Sequence, residues 1–229
     1  MATPAGFWRR YAAYSLDALA ILALALPLAW PWLRAAGQAW EQGMGVLQMR
    51  LWELLDEAFG SGIDPGTQLL AWSNDPVLRA GLLDLAGILA GALLAVLAWV
   101  LVVAALWFVA SEASPWQASP GKRALGLKVT TLAGERPGLA RVIGRFLAGI
   151  PSWLLLNLGH AIAGWRKDKR ALHDLMAGTR VVLAEGAPAR MPRWARYWLA
   201  AQAVVFLAAC GWVLSNYLLL AWEVLADAF

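Results

Sequence analysis

Four long stretches of this chain carry no charge and are mostly apolar: Ala18 to Leu33, Leu85 to Ser111, Phe146 to Trp165 and Tyr197 to Trp222. A membrane-spanning helix needs about 20 apolar residues, so the second and fourth stretches are predicted spans as they stand. The first reaches that length only if it begins near Tyr11, which brings Asp17 inside it. Between the first two spans, Trp40, Met44, Leu47, Leu51, Leu55 and Ala58 recur near a 3.6-residue period, with Glu53, Asp56 and Glu57 as the polar side. That pattern predicts an amphipathic helix over Trp40 to Phe59, lying on the membrane surface or capping the bundle. Two short pieces, Leu127 to Leu132 and Thr179 to Leu183, are instead rich in β-branched residues and read either as a pair of strands or as loops.

Composition agrees with a membrane protein. Of 229 residues, 61% are hydrophobic and 15% charged, with 15 Trp, against a globular norm of about 25% charged. Many Trp residues fall near the ends of the apolar runs, where aromatic side chains anchor spans at the interface. A cleaved secretory signal starting at Arg9 and Arg10 is disfavoured because Asp17 interrupts its apolar core. Cys210, the only cysteine, lies inside the last run, so neither a disulfide framework nor a cysteine metal site is expected. The net charge of +4 does not call for nucleic acid, because the basic residues cluster beside the spans and are explained by topology.

Those basic residues sort the loops. Residues 34 to 80 contain Arg34, Arg50 and Arg79 against six carboxylates, and read as external. Residues 111 to 145 and 164 to 196 are rich in Lys and Arg, and both read as cytoplasmic. Two segments on one side cannot be joined by a helix that crosses once, so Phe146 to Trp165, which contains Gly149, Pro151, Gly159 and Gly164, is expected to be a re-entrant or interfacial hairpin. The expected fold is an all-α polytopic membrane protein: about three transmembrane helices, that hairpin, and a short cytoplasmic β element. The amino terminus is then cytoplasmic, and the carboxy terminus, with Glu223 and Asp227, lies outside.

The candidate chemistry starts at Asp17. A charged group inside a membrane helix costs about 2.5 to 3.5 kcal/mol even on permissive insertion scales, so it normally faces protein or water and has a partner. Arg10 shares its helix face but stands about 10 Å away along the axis. A third charged group is needed to bridge them, and the cluster Asp168-Lys-Arg-Ala-Leu-His173-Asp174 lies on the same cytoplasmic side. Three segments, Ala5-Gly-Phe-Trp-Arg-Arg10-Tyr-Ala-Ala-Tyr-Ser-Leu-Asp17, Ser119-Pro-Gly-Lys-Arg-Ala-Leu-Gly126-Leu-Lys-Val and Leu172-His173-Asp174-Leu-Met-Ala-Gly178-Thr179, together resemble the RDD family of membrane proteins. By motif position, the arginine and two aspartates that name the family look like Arg10, Asp17 and Asp174, with His173, Gly178, Thr179, Lys122 and Arg123 in support. The resemblance covers about residues 5 to 184, with an insert at about 34 to 80. Residues 185 to 229 form a linker and an extra transmembrane helix to which nothing carries over.

The resemblance implies a multi-pass protein of a bacterial-type inner membrane, possessing either of two roles. One is proton-coupled transport of a small cation or solute, with Asp17 titrating, Arg10 as its countercharge and Asp174 as gate or second acceptor. The alternative is a non-transporting scaffold or accessory subunit, in which the trio is a permanent buried ion network. Three spans make a thin pathway, so transport calls for an oligomer; the expected partners are the lipid bilayer and further copies or other membrane proteins. Gly87 and Gly91 form a GxxxG pair suited to close helix approach, more readily within the chain than between copies. His160, Asn157, Ser215 and Asn216 are the other polar groups in the apolar runs. Lys122 and Arg123 read as interfacial anchors or head-group contacts. Neither an enzyme, a cofactor nor a metal is expected: Ser119-Pro-Gly-Lys-Arg lacks the glycine spacing of a phosphate loop, and no nucleophile accompanies His173 and Asp174.

Overall fold

The first helix, α1 (Phe7–Ala58), runs 52 residues without a break, through Pro27 and Pro31. At 1.5 Å per residue it is about 78 Å long, more than twice the roughly 30 Å hydrocarbon core. The separate helix expected over Trp40 to Phe59 is therefore the continuation of α1. The linking sequence Arg34-Ala-Ala-Gly-Gln-Ala contains no proline, and Ala, Arg and Gln are strong helix formers, so nothing there ends the helix. The computed structural model describes residues 3–59, 62–155 and 157–226. Asp227 lies outside the described residues, as does the side chain of Glu223.

After α1 come α2 (Pro65–Ser73), α3 (Pro76–Ala113), α4 (Pro120–Ala124), β1 (Leu127–Thr131), α5 (Leu139–Leu147), α6 (Ile150–Leu154), α7 (Leu158–Trp165), α8 (Leu172–Met176), β2 (Thr179–Leu183) and α9 (Arg193–Ala226). Among the described residues, three helices are long and apolar enough to cross a membrane: α1, α3 and residues 193–222 of α9. The chain is a multi-pass membrane protein. The run Phe146 to Trp165 is not one straight helix: it is broken at Ala148 and Gly149, and the stretch ending at Trp153 meets α7 at 101°. Asn157, at φ +64°, occupies the left-handed region at the start of α7.

The chain divides into two units, residues 1–19 with 106–229, and residues 20–105. In the first unit the two β-prone segments do pair. β1 and β2 are antiparallel, with Leu127 opposite Leu183 and Thr131 opposite Thr179. The amino-terminal residues extend this sheet: the Ala5 amide donates to the Val181 carbonyl and the Leu183 amide to the Thr3 carbonyl. Leu127, Val129 and Val181 pack with Leu125, Ala5, Ala12, Ala13 and Ala195 in a buried core, so the sheet is held against the first turns of α1 and of α9.

Each strand is entered in the same way. A five-residue helix, one capping residue and a glycine with positive φ precede it: α4, Leu125 and Gly126 (φ +61°) before β1; α8, Ala177 and Gly178 (φ +62°) before β2. A left-handed residue ends a helix without steric cost only when it is glycine, which accounts for both positions.

In the second unit, two helical segments pack small against large. A Cβ at Gly43 would lie 2.9 Å from Leu85, and one at Gly81 only 2.6 Å from Leu47. A Cβ at Gly87 or Gly91 would meet nothing within 4 Å, so the close approach expected of that pair within the chain is made by Gly43 and Gly81 instead. Arg50 joins Asp75 at 2.8 Å and Glu53 at 2.8 Å, while the other Asp75 oxygen accepts the Val77 and Leu78 amides and caps α3.

Candidate functional site

The first turns of α1 send two adjacent arginines to different places. Arg9 donates to the Leu125 carbonyl at 2.8 Å and the Pro188 carbonyl at 2.7 Å, closing the ends of α4 and of the loop after β2. Arg10 donates to the Lys169 carbonyl at 2.5 Å and to Asp174 Oδ2 at 2.5 Å. Asp174, in the first turn of α8, also accepts the Ala171 amide at 2.9 Å, a position where a carboxylate satisfies a free helix-terminal N–H. Its Oδ1 is paired with Arg145 of α5. Arg145 continues the chain to Glu112 of α3 at 3.0 Å, and Glu112 binds Lys122 of α4 at 2.6 Å. Thr179 accepts from Arg145 at 3.0 Å.

Five elements are thereby joined by one alternating series: Arg10, Asp174, Arg145, Glu112, Lys122. Arg145 and Glu112 were absent from the residues singled out by sequence. Their signal is weak: Arg145 counts as one of many loop cations, and Glu112 is merely the acid that follows an uncharged run. Lys122 turns inward to Glu112 and lies 4.9 Å above the Phe108 ring, rather than reaching out as a head-group anchor. Arg123 stacks on Trp116 at 3.9 Å. Burial opposes ionisation of Asp174, but the guanidinium charges of Arg145 and Arg10 overcome it and hold the carboxyl well below the usual carboxylate range.

Asp17 is elsewhere. It is 1% exposed, and its oxygens accept from Trp107 Nε1 at 2.9 Å, the Gly121 amide at 2.8 Å and Ser119 Oγ at 2.5 Å. The structure brings Arg10 and Asp174 together but does not bring Asp17 to either; among the described residues its hydrogen-bond donors are all neutral. The Ser119-Pro-Gly motif now has a physical account. Ser119 turns its hydroxyl onto Asp17, Pro120 needs no donor at the helix start, and Gly121 lets α4 approach α1 so closely that a Cβ would fall on the Ala13 carbonyl and 2.9 Å from the Asp17 carboxyl. Asp17 caps α4 from another helix.

Four members of the ion series line a half-enclosed cavity of about 270 Å³. Arg10, Glu112, Lys122 and Arg145 form its charged side; Phe7, Tyr11, Tyr14, Phe108, Phe146 and Trp153 supply aromatic walls. His160 and His173 lie on it too, their rings 4.6 Å apart. Burial, and after it the positive charge of Arg145, lower the His173 pKa well below its ordinary value, so the ring is neutral at pH 7. The Nδ1 atoms of both histidines are buried and have no hydrogen-bond partner among the described residues. Asn157 borders the same space. Ser215 and Asn216 return their side chains to the Trp212 carbonyl of their own helix. Among the described residues, no group of three or more His, Cys, Asp or Glu is arranged to hold a metal.

A family model described as the RDD family matches residues 4–178. A curated protein of Bacillus subtilis (strain 168), "Uncharacterized protein YxaI", is 37% identical over 82 residues, which are 36% of this chain and 54% of that protein. The matched part therefore spans about half the length of that relative. No solved structure matches.

Proposed function

The chain belongs to the RDD family of membrane proteins, and on that premise we propose that it is a membrane carrier whose solute site is the cavity of the first unit. The observation that carries this is a continuous series of buried and part-buried ionic groups, in which those from α1, α3, α4 and α5 line a half-enclosed space and α8 closes the series. Ionisable groups within membrane proteins are costly and mark substrate and ion pathways. Three cations, Arg10, Lys122 and Arg145, face two carboxylates, Asp174 and Glu112, a balance that favours an anionic solute over a metal cation. Asp17 is in this account a joint between helices and not an exchanging carboxylate. The protein sits in a bacterial-type inner membrane with its amino terminus and basic loops cytoplasmic, performs no catalytic step, and works as several copies together.

A second role, as a scaffold or accessory subunit, is favoured by the second unit. There α1 extends far beyond one bilayer thickness, and Trp52 and Phe59 are 73% and 88% exposed. Proteoliposomes separate the two. Proton-linked flux is measured under gradients of Na⁺, K⁺ and Li⁺ and, separately, of inorganic phosphate and hexyl phosphate. A carrier of the proposed kind responds to an anion gradient and loses at least tenfold in rate with Lys122→Met. Cation-driven flux that vanishes in a well-folded Asp17→Asn would overturn it in favour of cation exchange, and silence under every gradient favours the scaffold.

A further inference from the structure

The cavity combines three features that a site for a small inorganic ion does not need together. One side is ionic, with one more cation than carboxylate in the series of Arg10, Asp174, Arg145, Glu112 and Lys122. An unbalanced charge kept from water is destabilising unless something of opposite sign accompanies it. Next to this series is His173, 5% exposed, with Nδ1 unpartnered among the described residues; a buried ring nitrogen without a partner is costly, and a polar ligand group reaching it relieves that cost. The rest of the lining is largely aromatic, with Tyr11, Phe108 and Phe146 among the rings, and bare apolar surface stabilises a ligand only if the ligand is apolar where they touch.

We propose that the cavity binds an anionic amphiphile, its phosphate or carboxylate head on the Arg10, Lys122 and Arg145 side and its hydrocarbon against the aromatic wall. The volume of about 270 Å³ falls just below the range usual for organic ligands, about 300 to 1,000 Å³. It takes the head and the first part of a chain, and the remainder extends out through the open side. This assignment rests on the cavity being the solute site.

The test is equilibrium binding to the purified full chain in a non-ionic detergent, followed by tryptophan fluorescence and by the shift in unfolding temperature. The probes are dodecyl phosphate, inorganic phosphate and dodecyltrimethylammonium. Dodecyl phosphate is expected to bind at least tenfold tighter than inorganic phosphate, with no saturable response to the cationic amphiphile. Tyr11→Ala is expected to weaken dodecyl phosphate several-fold while leaving inorganic phosphate unchanged. Lys122→Ala is expected to weaken both, and Lys122→Arg to restore them, which separates loss of the site from loss of the fold. Equal affinity for inorganic and dodecyl phosphate would overturn the amphiphile and leave a free-anion site; equal affinity for the two amphiphiles would overturn the charge assignment. Native mass spectrometry of the chain from nanodiscs of phosphatidylcholine with and without phosphatidylglycerol distinguishes a lipid head group from a soluble amphiphile. Binding without flux would remove the carrier function and keep this site; flux of a solute without anionic binding would do the reverse.

Discussion

Two buried aspartates in one unit solve the same problem by opposite means. Asp17 is 1% exposed and satisfied by an indole, a hydroxyl and a backbone amide; Asp174 is fully buried and held by Arg10 and Arg145. A carboxylate needs several donors in a low-dielectric place, and neutral groups fixed by the fold supply them as well as guanidinium groups do. The difference lies in what each arrangement allows. Neutral donors from α3, α4 and the residue before it make Asp17 a fixed joint. Asp174 belongs to a charged series that borders a cavity, where a ligand's charge can join it.

Removing each carboxylate is the sharpest way to test the contrast. Asp174→Ala leaves Arg145 with Glu112 and the Thr179 hydroxyl and Arg10 with the Lys169 carbonyl, and breaking a buried ion pair in this way typically costs about 3 to 5 kcal/mol. The result expected is a large fall in unfolding temperature in detergent. Asp17→Asn keeps a carbonyl acceptor but turns an amide NH₂ toward donors, which leaves at least one unsatisfied, at about 1 to 3 kcal/mol. A larger loss from Asp17→Asn than from Asp174→Ala would invert the assignment of joint and charged hub.

The second break is geometric. Gly121→Ala puts a methyl against the Ala13 carbonyl and the Asp17 carboxyl, and neither can withdraw while Ser119 and Trp107 hold the carboxyl in place. Overpacking of this kind costs about 1 to 3 kcal/mol. Circular dichroism melts of Gly121→Ala alone, Asp17→Asn alone and the two together should show strong non-additivity, because both act on one contact. Simple additivity would mean that the close approach of α4 is set by something other than Asp17.

Much of this was legible from sequence and some was not, for identifiable reasons. The β-branched runs at 127 and 179 suited strands and loops alike, and the structure pairs them; of the trio Arg10, Asp17 and Asp174 expected to share one network, it joins Arg10 and Asp174 and places Asp17 apart. The bend of 101° before α7 agrees with the charge conflict that no single straight helix resolves. Asp17 was read as needing a cation because side chains are visible in a sequence and backbone amides are not: the Gly121 N–H has no signature of its own. Arg145 was hidden for a related reason. It stands in an ordinary basic segment, and only the packing of α5 on α8 turns it from a surface charge into a buried one. The glycine pair at 87 and 91 matched a pattern, while Gly43 and Gly81, which matched none, make the close contacts, since helix register and not spacing decides which glycine meets a neighbour.

The gentlest probe of the charged side is pH. His173 is neutral in the folded protein because burial, followed by Arg145, lowers its pKa below the ordinary value near 6.5. A group with a depressed histidine pKa binds its proton more readily in the unfolded chain, so stability is fully present above about pH 6.5 and falls as pH drops below it, by up to about 1.4 kcal/mol per pH unit. Asp174 contributes in another window: its pKa is lowered from an unfolded value near 3.9, so its contribution is present above that pH and is lost only as pH falls much further. Unfolding temperature measured from pH 7.5 to 5 should therefore decline in the wild type and decline less in His173→Gln, with no difference in slope above pH 7. Parallel curves for the two proteins would show that the fold leaves the His173 pKa where the unfolded chain has it, and a steeper decline in His173→Gln would show that the fold favours the protonated ring.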